Sequence, residues 1–396
     1  MAFLLSSFKF VRDAALGNSE ALLAALVLWA FERFLDGRRD HALYLGFAAA
    51  LLRPEAWPFF GLYGLWLWWR EPELRWRVAL FLAAIPVLWF GPEIWGSGEP
   101  LRASSRANNP NPGSAAFADH PGLEVARRFI NATITPLVVG AAIAVAYAVW
   151  QFVTRRREQL TLVVAAAGLA WLLLVCGMTE GGYAGNQRYL IVTTAAICVL
   201  GGIGYGRVFE ALIAVAARVV GSPRRALGVA LGVALVCLVA ATPIIKTRID
   251  NGNTTLDSLR YEASLWHDLR GVVPAAGGKE RLLQCGSVYS GPFQTQMIGW
   301  VLGIHGRDVT WNEIPPRTPP PGVVFRTRTI PRGPKVVAPS DGRYREVTHN
   351  RRWDVLTVPP AGSSRNGKSG CPGAAGAPTA PRGPGTPDLS STALSG

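Results

Sequence analysis

Apolar residues fill long stretches of this chain, near 19–35, 78–91, 134–153, 160–177, 188–207 and 227–246. A bilayer asks for about 20 apolar residues per helix, so runs of this kind predict spanning helices rather than half-buried strands. The stretch 41–69 differs. Its two shorter apolar runs are parted by Arg53-Pro54-Glu55, and together they are too short for two upright crossings. Pro54 removes a backbone donor and disfavours helical geometry at Arg53. The pattern therefore predicts a pair of short or re-entrant helices, with the corner held inside protein or a wet cavity.

Beyond residue 250 the pattern changes. "LQCGSVYSGPFQTQMIGWVL" and "DVTWNEI" predict short strands and a helix of a small α/β domain. "IPPRTPPPGVV" reads as a polyproline-like connector. From Ala361 onward, Gly, Pro, Ser and Ala dominate and leave little to bury, which predicts disorder. The expected organisation is an external N-terminal segment, 1–18, then a membrane domain, 19–249, with an external loop at 92–133. A small extracytoplasmic α/β domain, 250–360, and a disordered tail, 361–396, follow. The fold class expected is an all-α polytopic membrane protein of about seven to eight membrane helices, the short broken pair included, ahead of that α/β domain.

Composition agrees with a membrane class, at 49% hydrophobic and only 17% charged residues. The net charge of +14 raises nucleic acid as a partner, but the arginines flank apolar runs instead of forming one basic face. Arg38–Arg39, Arg70/Arg75/Arg77, Arg155–Arg157 and Arg224–Arg225 are placed as topology signals. They orient the turns 33–40, 70–77, 154–159 and 207–226 toward the cytoplasm, leaving 92–133, 178–187 and everything after 247 outside. Residues 1–18 must then begin outside, yet Met1–Val11 lacks a signal-peptide layout, so the start reads as that of a truncated or mis-started product. The cysteines show no CxxC or Cys/His spacing, so no structural zinc site is expected. Cys285 and Cys371 alone fall outside apolar segments and can pair. No cofactor or metal ligand set is implied, and a role for a divalent metal is left open.

Several polar islands carry candidate chemistry. Gly17-Asn18-Ser19-Glu20 opens an apolar helix, which Ser19 or Asn18 can cap, while Glu20 complements the positive end of its dipole and can line a cavity. Ionisable residues at membrane depth suggest function, so Arg53 is a candidate for a phosphate and Glu55 for a sugar hydroxyl; an internal Arg–Glu pair is the plainer alternative. In "TEGGYAGNQRYL" an external turn leads to Arg188 and Tyr189 beside a helix start, a place for an anion or for interfacial anchoring. The loop 92–133 offers Arg102, Arg106, Asp119 and His120, and such a loop can cover a site and present a base. "GGIGYG" lies inside an apolar helix and reads as helix packing, not a nucleotide loop.

"GNSEALLAALVLWAFERFLDGRRDHALYLGFAAALLRPEAWPF" resembles part of a GT-C-type integral membrane glycosyltransferase, of the protein mannosyltransferase-like and aminoarabinose-transferase-like kind. The likeness lies in an external small-polar-Glu helix start, a Gly-Arg-Arg turn, an Arg-Pro-Glu break and, later, "NQRYL". The resemblance implies transfer of a sugar from a polyprenyl-phosphate donor to a glycan, lipid or protein acceptor, on the outer face of the cytoplasmic membrane. Arg53, Arg188 and Tyr189 would serve the donor phosphate, supported by Glu20 and Glu55. The chain departs from the family in lacking an acidic first external loop; Asp13 is its only candidate remnant as catalytic base. The rival readings are a transporter or flippase for a lipid-linked or anionic substrate, and an inactive scaffold.

Overall fold

Each apolar run lies in helical structure in the computed structural model of this chain, and the last is split at Ala241. The structure describes residues 8–108, 110, 113–291, 294–311, 321–328, 330–331, 333, 335, 344–360 and 370–372. Two compact units, Met1–Gly252 and Asn253–Gly396, divide it.

The first unit opens with α1 (Phe8–Ala15), α2 (Glu20–Leu35), α3 (Arg39–Leu52) and α4 (Trp57–Arg70). There follow α5 (Arg75–Ser97), α6 (Arg102–Ala107), α7 (Pro121–Ala132), α8 (Thr135–Arg155), α9 (Gln159–Glu180), α10 (Ile191–Val220) and α11 (Pro223–Ala240). Among the described residues, five helical segments are long and apolar enough to cross a membrane: Pro72–Gly96, Thr135–Arg155, Gln159–Glu180, Gln187–Val220 and Pro223–Ala240. Helix α2 has 16 residues, and α3 and α4 have 14 each, below a bilayer's length when upright.

Local chemistry explains most boundaries. Arg53 adopts an extended conformation, φ −150° and ψ 130°, because Pro54 follows it; one 3₁₀ turn, Pro54–Ala56, then leads into α4. Ser19 is helical and makes no capping hydrogen bond, and the Asn18 amide turns instead to Asp13 Oδ1 at 3.4 Å. Neither residue caps α2 as the sequence suggested. The segment 207–226, expected as a cytoplasmic connection holding an amphipathic stretch, is mostly helix. Its first part continues α10 to Val220 without a break, because nothing in 207–220 stops a helix before Gly221 takes φ +68°. The loop at 92–133 is likewise largely helical, through the end of α5, α6 and α7.

Packing in this unit depends on small residues. Helices α8 and α10 approach so closely that a Cβ on Gly204 would clash with Gly140 O, and one on Gly201 would lie 2.6 Å from Leu137 Cδ1. Tyr205 OH closes the same seam by donating to Pro136 O at 2.7 Å. A second apolar core joins Leu23 of α2, Leu43 and Ala50 of α3, Phe60 and Leu67 of α4, and Trp171 and Val175 of α9. The basic turns meet one another: Arg39 pairs with Glu71, Arg77 donates to Tyr44 OH at 2.7 Å, and Arg207 meets Glu158 at 2.5 Å.

The boundary between the units falls inside α12 (Thr242–Ala275). The second unit adds α13 (Lys279–Leu283), α14 (Thr295–Leu302) and five strands: β1 (Ser287–Ser290), β2 (Val309–Trp311), β3 (Gly322–Arg326), β4 (Arg345–His349) and β5 (Asp354–Val358). The sheet order is β2-β1-β3-β5-β4, with β1 parallel to β2 and β3, and β5 antiparallel to β3 and β4. Trp353, Phe325, Leu265, Leu269 and Ile298 form its core, and Trp353 Nε1 donates to Leu265 O at 2.9 Å.

Two sequence expectations change here. Gly322, Val323 and Val324 belong to β3, not to a connector, since both valines are buried in the sheet; the proline-rich residues 314–320 lie outside the described residues. Within the stretch expected to be disordered, residues 370–372 are pinned. Cys371 is disulfide-bonded to Cys285, Arg281 Nε donates to Gly370 O at 2.9 Å, and Thr357 Oγ1 donates to Pro372 O at 2.6 Å. The rest of 361–396 lies outside the described residues.

Candidate functional site

The extended backbone at Arg53 turns its guanidinium away from α3 and toward the start of α2. Arg53 Nη2 donates to Glu20 Oε1 at 2.5 Å, and its Nη1 lies 3.7 Å from Glu55 Oε1. Both carboxylates are almost completely buried, at 2% exposure for Glu20 and 1% for Glu55. Charges removed from water so thoroughly are tolerated only when paired, which is what this arrangement does.

The turn after α9 completes the cluster. Tyr183 OH donates to Glu55 Oε1 at 3.0 Å, and its ring centroid lies 4.9 Å from that of Tyr189. The Tyr189 ring in turn carries the Arg53 guanidinium 4.5 Å from its centroid, within cation–π range. Arg188 stands 5.4 Å from the same ring and 3.7 Å from Glu20 Oε1. Asn186 Nδ2 donates to Tyr189 OH at 3.2 Å. Burial, reinforced by the neighbouring Glu55 carboxylate, pushes the Tyr183 phenol above its ordinary range, so it stays protonated as the donor.

The turn itself is held in shape. Gly185 has φ +58°, and a Cβ there would meet Thr179 and Val125 side chains at 2.7 Å. Ser114 Oγ donates to Ala184 O at 2.5 Å, Gly122 N to Glu180 Oε1 at 2.9 Å, and Gln187 Nε2 to Arg128 O at 3.0 Å. The segment 113–128 therefore braces the turn that bears Tyr183 and Tyr189. Within it, Glu124 takes hydrogen bonds from Arg128 and Arg127, which hold its carboxyl below the usual range.

Two further features accompany the cluster. Glu20 Oε2, Glu55 Oε2 and Arg53 Nε are buried and have no hydrogen-bond partner among the described residues. Buried polar atoms without partners are rare and costly. In addition, an apolar cavity of about 330 Å³ runs between α2, α3, α4, α9 and α10, lined among others by Phe31, Ala56, Phe60, Tyr63, Trp171 and Val192. Ala56 follows Glu55 directly, and Trp171 Nε1 donates to Tyr189 O at 2.8 Å, so the cavity adjoins the charged cluster.

The structure thus brings together Glu20, Arg53, Glu55, Arg188 and Tyr189, residues more than a hundred positions apart in part. Asp13, half-buried on α1, lies within electrostatic reach of Arg188. The loop candidates are not drawn in. Asp119 and His120 are exposed, and their side chains form no hydrogen bond or ion pair among the described residues. Arg102 is half-exposed at the start of α6, and the side chain of Arg106 lies outside the described residues. Among the described residues no group of three His, Cys, Asp or Glu could hold a metal ion. Tyr183 is the member that sequence reading missed; a tyrosine in a glycine-rich turn signals an interfacial anchor, and its partner Glu55 lies 128 residues away.

Comparison of the chain with protein-family models, curated proteins and solved structures returns no match.

Proposed function

We propose that this chain is a membrane glycosyltransferase of the GT-C kind, moving a sugar from a polyprenyl-phosphate donor to an acceptor at the outer face of the cytoplasmic membrane. The observation that carries this reading is the buried Glu20–Arg53–Glu55 cluster, with two carboxylate oxygens unpartnered, set beside an apolar cavity. A lipid-linked sugar has the matching parts. Its prenyl chain suits the apolar lining, its hydroxyls suit the free carboxylate oxygens, and its phosphate suits a cation at the edge.

The two arginines divide the work in this reading. Arg53 has an 11% exposed side chain and is engaged by Glu20, Glu55 and Tyr189, so it orders the site. Arg188 has a 42% exposed side chain, held only by the Tyr189 ring and by Glu20 at 3.7 Å, so it is the more accessible cation and the one to meet phosphate. The start of α10 adds the positive end of a helix dipole nearby. Asp13 is the candidate base. It would take the proton of the acceptor hydroxyl as that oxygen attacks the anomeric carbon and polyprenyl phosphate departs, inverting the centre.

The short helices α2, α3 and α4 would complete a set of seven to eight membrane-inserted helices, counted with the five long segments. The Cys285–Cys371 disulfide favours an oxidising compartment, hence an extracytoplasmic second unit.

The test is transfer from radiolabelled polyprenyl-phosphate sugars in membranes that contain the protein. Arg188→Ala should lower transfer strongly while leaving insertion intact. Movement of the donor across the bilayer without any transfer would overturn the enzyme reading in favour of a flippase.

A further inference from the structure

The second unit contains a cleft that the charged cluster of the first does not involve. Its cavity, about 500 Å³, is lined by Trp266, Arg270 and Pro274 from one face of α12, and by Lys279, Trp300 and Val301 opposite. The spacing of four residues sets Trp266, Arg270 and Pro274 in a row on that helix. Trp300 is 78% exposed and Trp266 half-buried. Arg270 and Lys279 are both exposed, and their side chains form no ion pair or hydrogen bond among the described residues.

This combination is unusual for a plain surface. A tryptophan left so open costs hydrophobic free energy, and elsewhere in this unit the large aromatics Trp353 and Phe325 are fully buried. Two unpaired cations share the cleft, so its potential is positive. It has indole faces for a flat apolar surface and cations for an anion. The cleft is open, so hydroxyl groups on a bound ring would stay in water and need no buried partner.

We infer that the Trp266–Arg270–Lys279–Trp300 cleft binds an acidic saccharide. The C–H face of a pyranose ring stacks on an indole, and its carboxylate or phosphate lies between Arg270 and Lys279. A neutral sugar leaves both cations unused. A lipid surface would favour protruding apolar side chains over a concave site with Arg270 and Lys279 among its walls.

The test is calorimetric titration of the full chain in lipid nanodiscs with a short oligogalacturonate, and with its carboxyl-reduced neutral counterpart. The acidic oligosaccharide should bind, and the neutral one roughly tenfold more weakly, as loss of a charge-assisted hydrogen bond implies. Trp300→Ala should weaken both by roughly tenfold, as expected for a stacking tryptophan. Arg270→Gln combined with Lys279→Gln should erase the preference for the acidic form. Absence of oligogalacturonate binding, or binding indifferent to both variants, would overturn the inference. So would tighter binding of AMP or of dihexanoyl phosphatidylglycerol at the same cleft, which would assign it to nucleotides or lipid headgroups. The titration uses no sugar donor, so its outcome stands apart from the transfer assay.

Discussion

Arg53 Nη2 and Glu20 Oε1 lie 2.5 Å apart, joining the corner that ends α3 to the first residue of α2. Glu55, two residues after Arg53, lies 3.7 Å from Nη1 of the same guanidinium. Two acids and one base thus share a water-poor space, so the cluster's stability depends on every member. Removing Arg53 leaves two buried carboxylates with only Arg188, 3.7 Å from Glu20, and the Tyr183 hydroxyl on Glu55 to offset them.

Arg53→Ala should therefore destabilise the first unit by about 3–5 kcal/mol, the usual cost of orphaning buried charges. Arg53→Ala combined with Glu20→Leu and Glu55→Leu should recover much of that loss. Thermal unfolding in detergent measures both. Equal loss in single and triple variants would mean that the charges are not coupled.

Tyr183→Phe removes the donor to Glu55 Oε1 and should cost about 1–3 kcal/mol. The phenol also links stability to pH. Its pKa is raised on folding, so its contribution is fully present below the unfolded value near 10 and is lost as pH rises above it. Wild-type stability should fall more steeply with alkaline pH than that of Tyr183→Phe. Parallel curves above pH 10 would contradict this.

Gly204→Ala would drive a methyl group into Gly140 O, whereas a Cβ on Gly202 has nothing within 4 Å. The first substitution should cost about 1–3 kcal/mol through overpacking between α8 and α10. Gly202→Ala should be neutral or slightly stabilising, since alanine is the better helix former. Matched melting temperatures for the two variants would rule out the close seam.

Alkylation of the unfolded, unreduced chain should modify three cysteines, Cys176, Cys198 and Cys237, and all five after reduction. Cys285→Ala with Cys371→Ala should destabilise the second unit by about 2–5 kcal/mol, because the bond spans 86 residues and holds residues 370–372 in place. Five reactive thiols before reduction would exclude the bond.

Much of the architecture was written locally. Runs of apolar residues specify helices in a bilayer, because no other backbone arrangement of such a run satisfies its own amides there. The break at Arg53 needed only Pro54 beside it, and the glycines of "GGIGYG" needed only their place in an apolar helix. Where sequence reading failed, the cause was competition between local signals. Asn18 could cap a helix or meet Asp13, and it meets Asp13. Val323 and Val324 follow a proline run but are claimed by the sheet, where both are buried.

The sequence by itself determined that Glu20, Arg53, Glu55, Arg188 and Tyr189 stand at helix ends and breaks, because glycine, proline and charge interrupt apolar runs wherever they occur. Only the tertiary structure decided that these ends converge on one guanidinium. That convergence depends on which helices pack together, and packing follows from side-chain shape summed across distant segments. The pairing of Tyr183 with Glu55, the strand order β2-β1-β3-β5-β4 and the meeting of Trp266 with Trp300 in one cleft have the same origin.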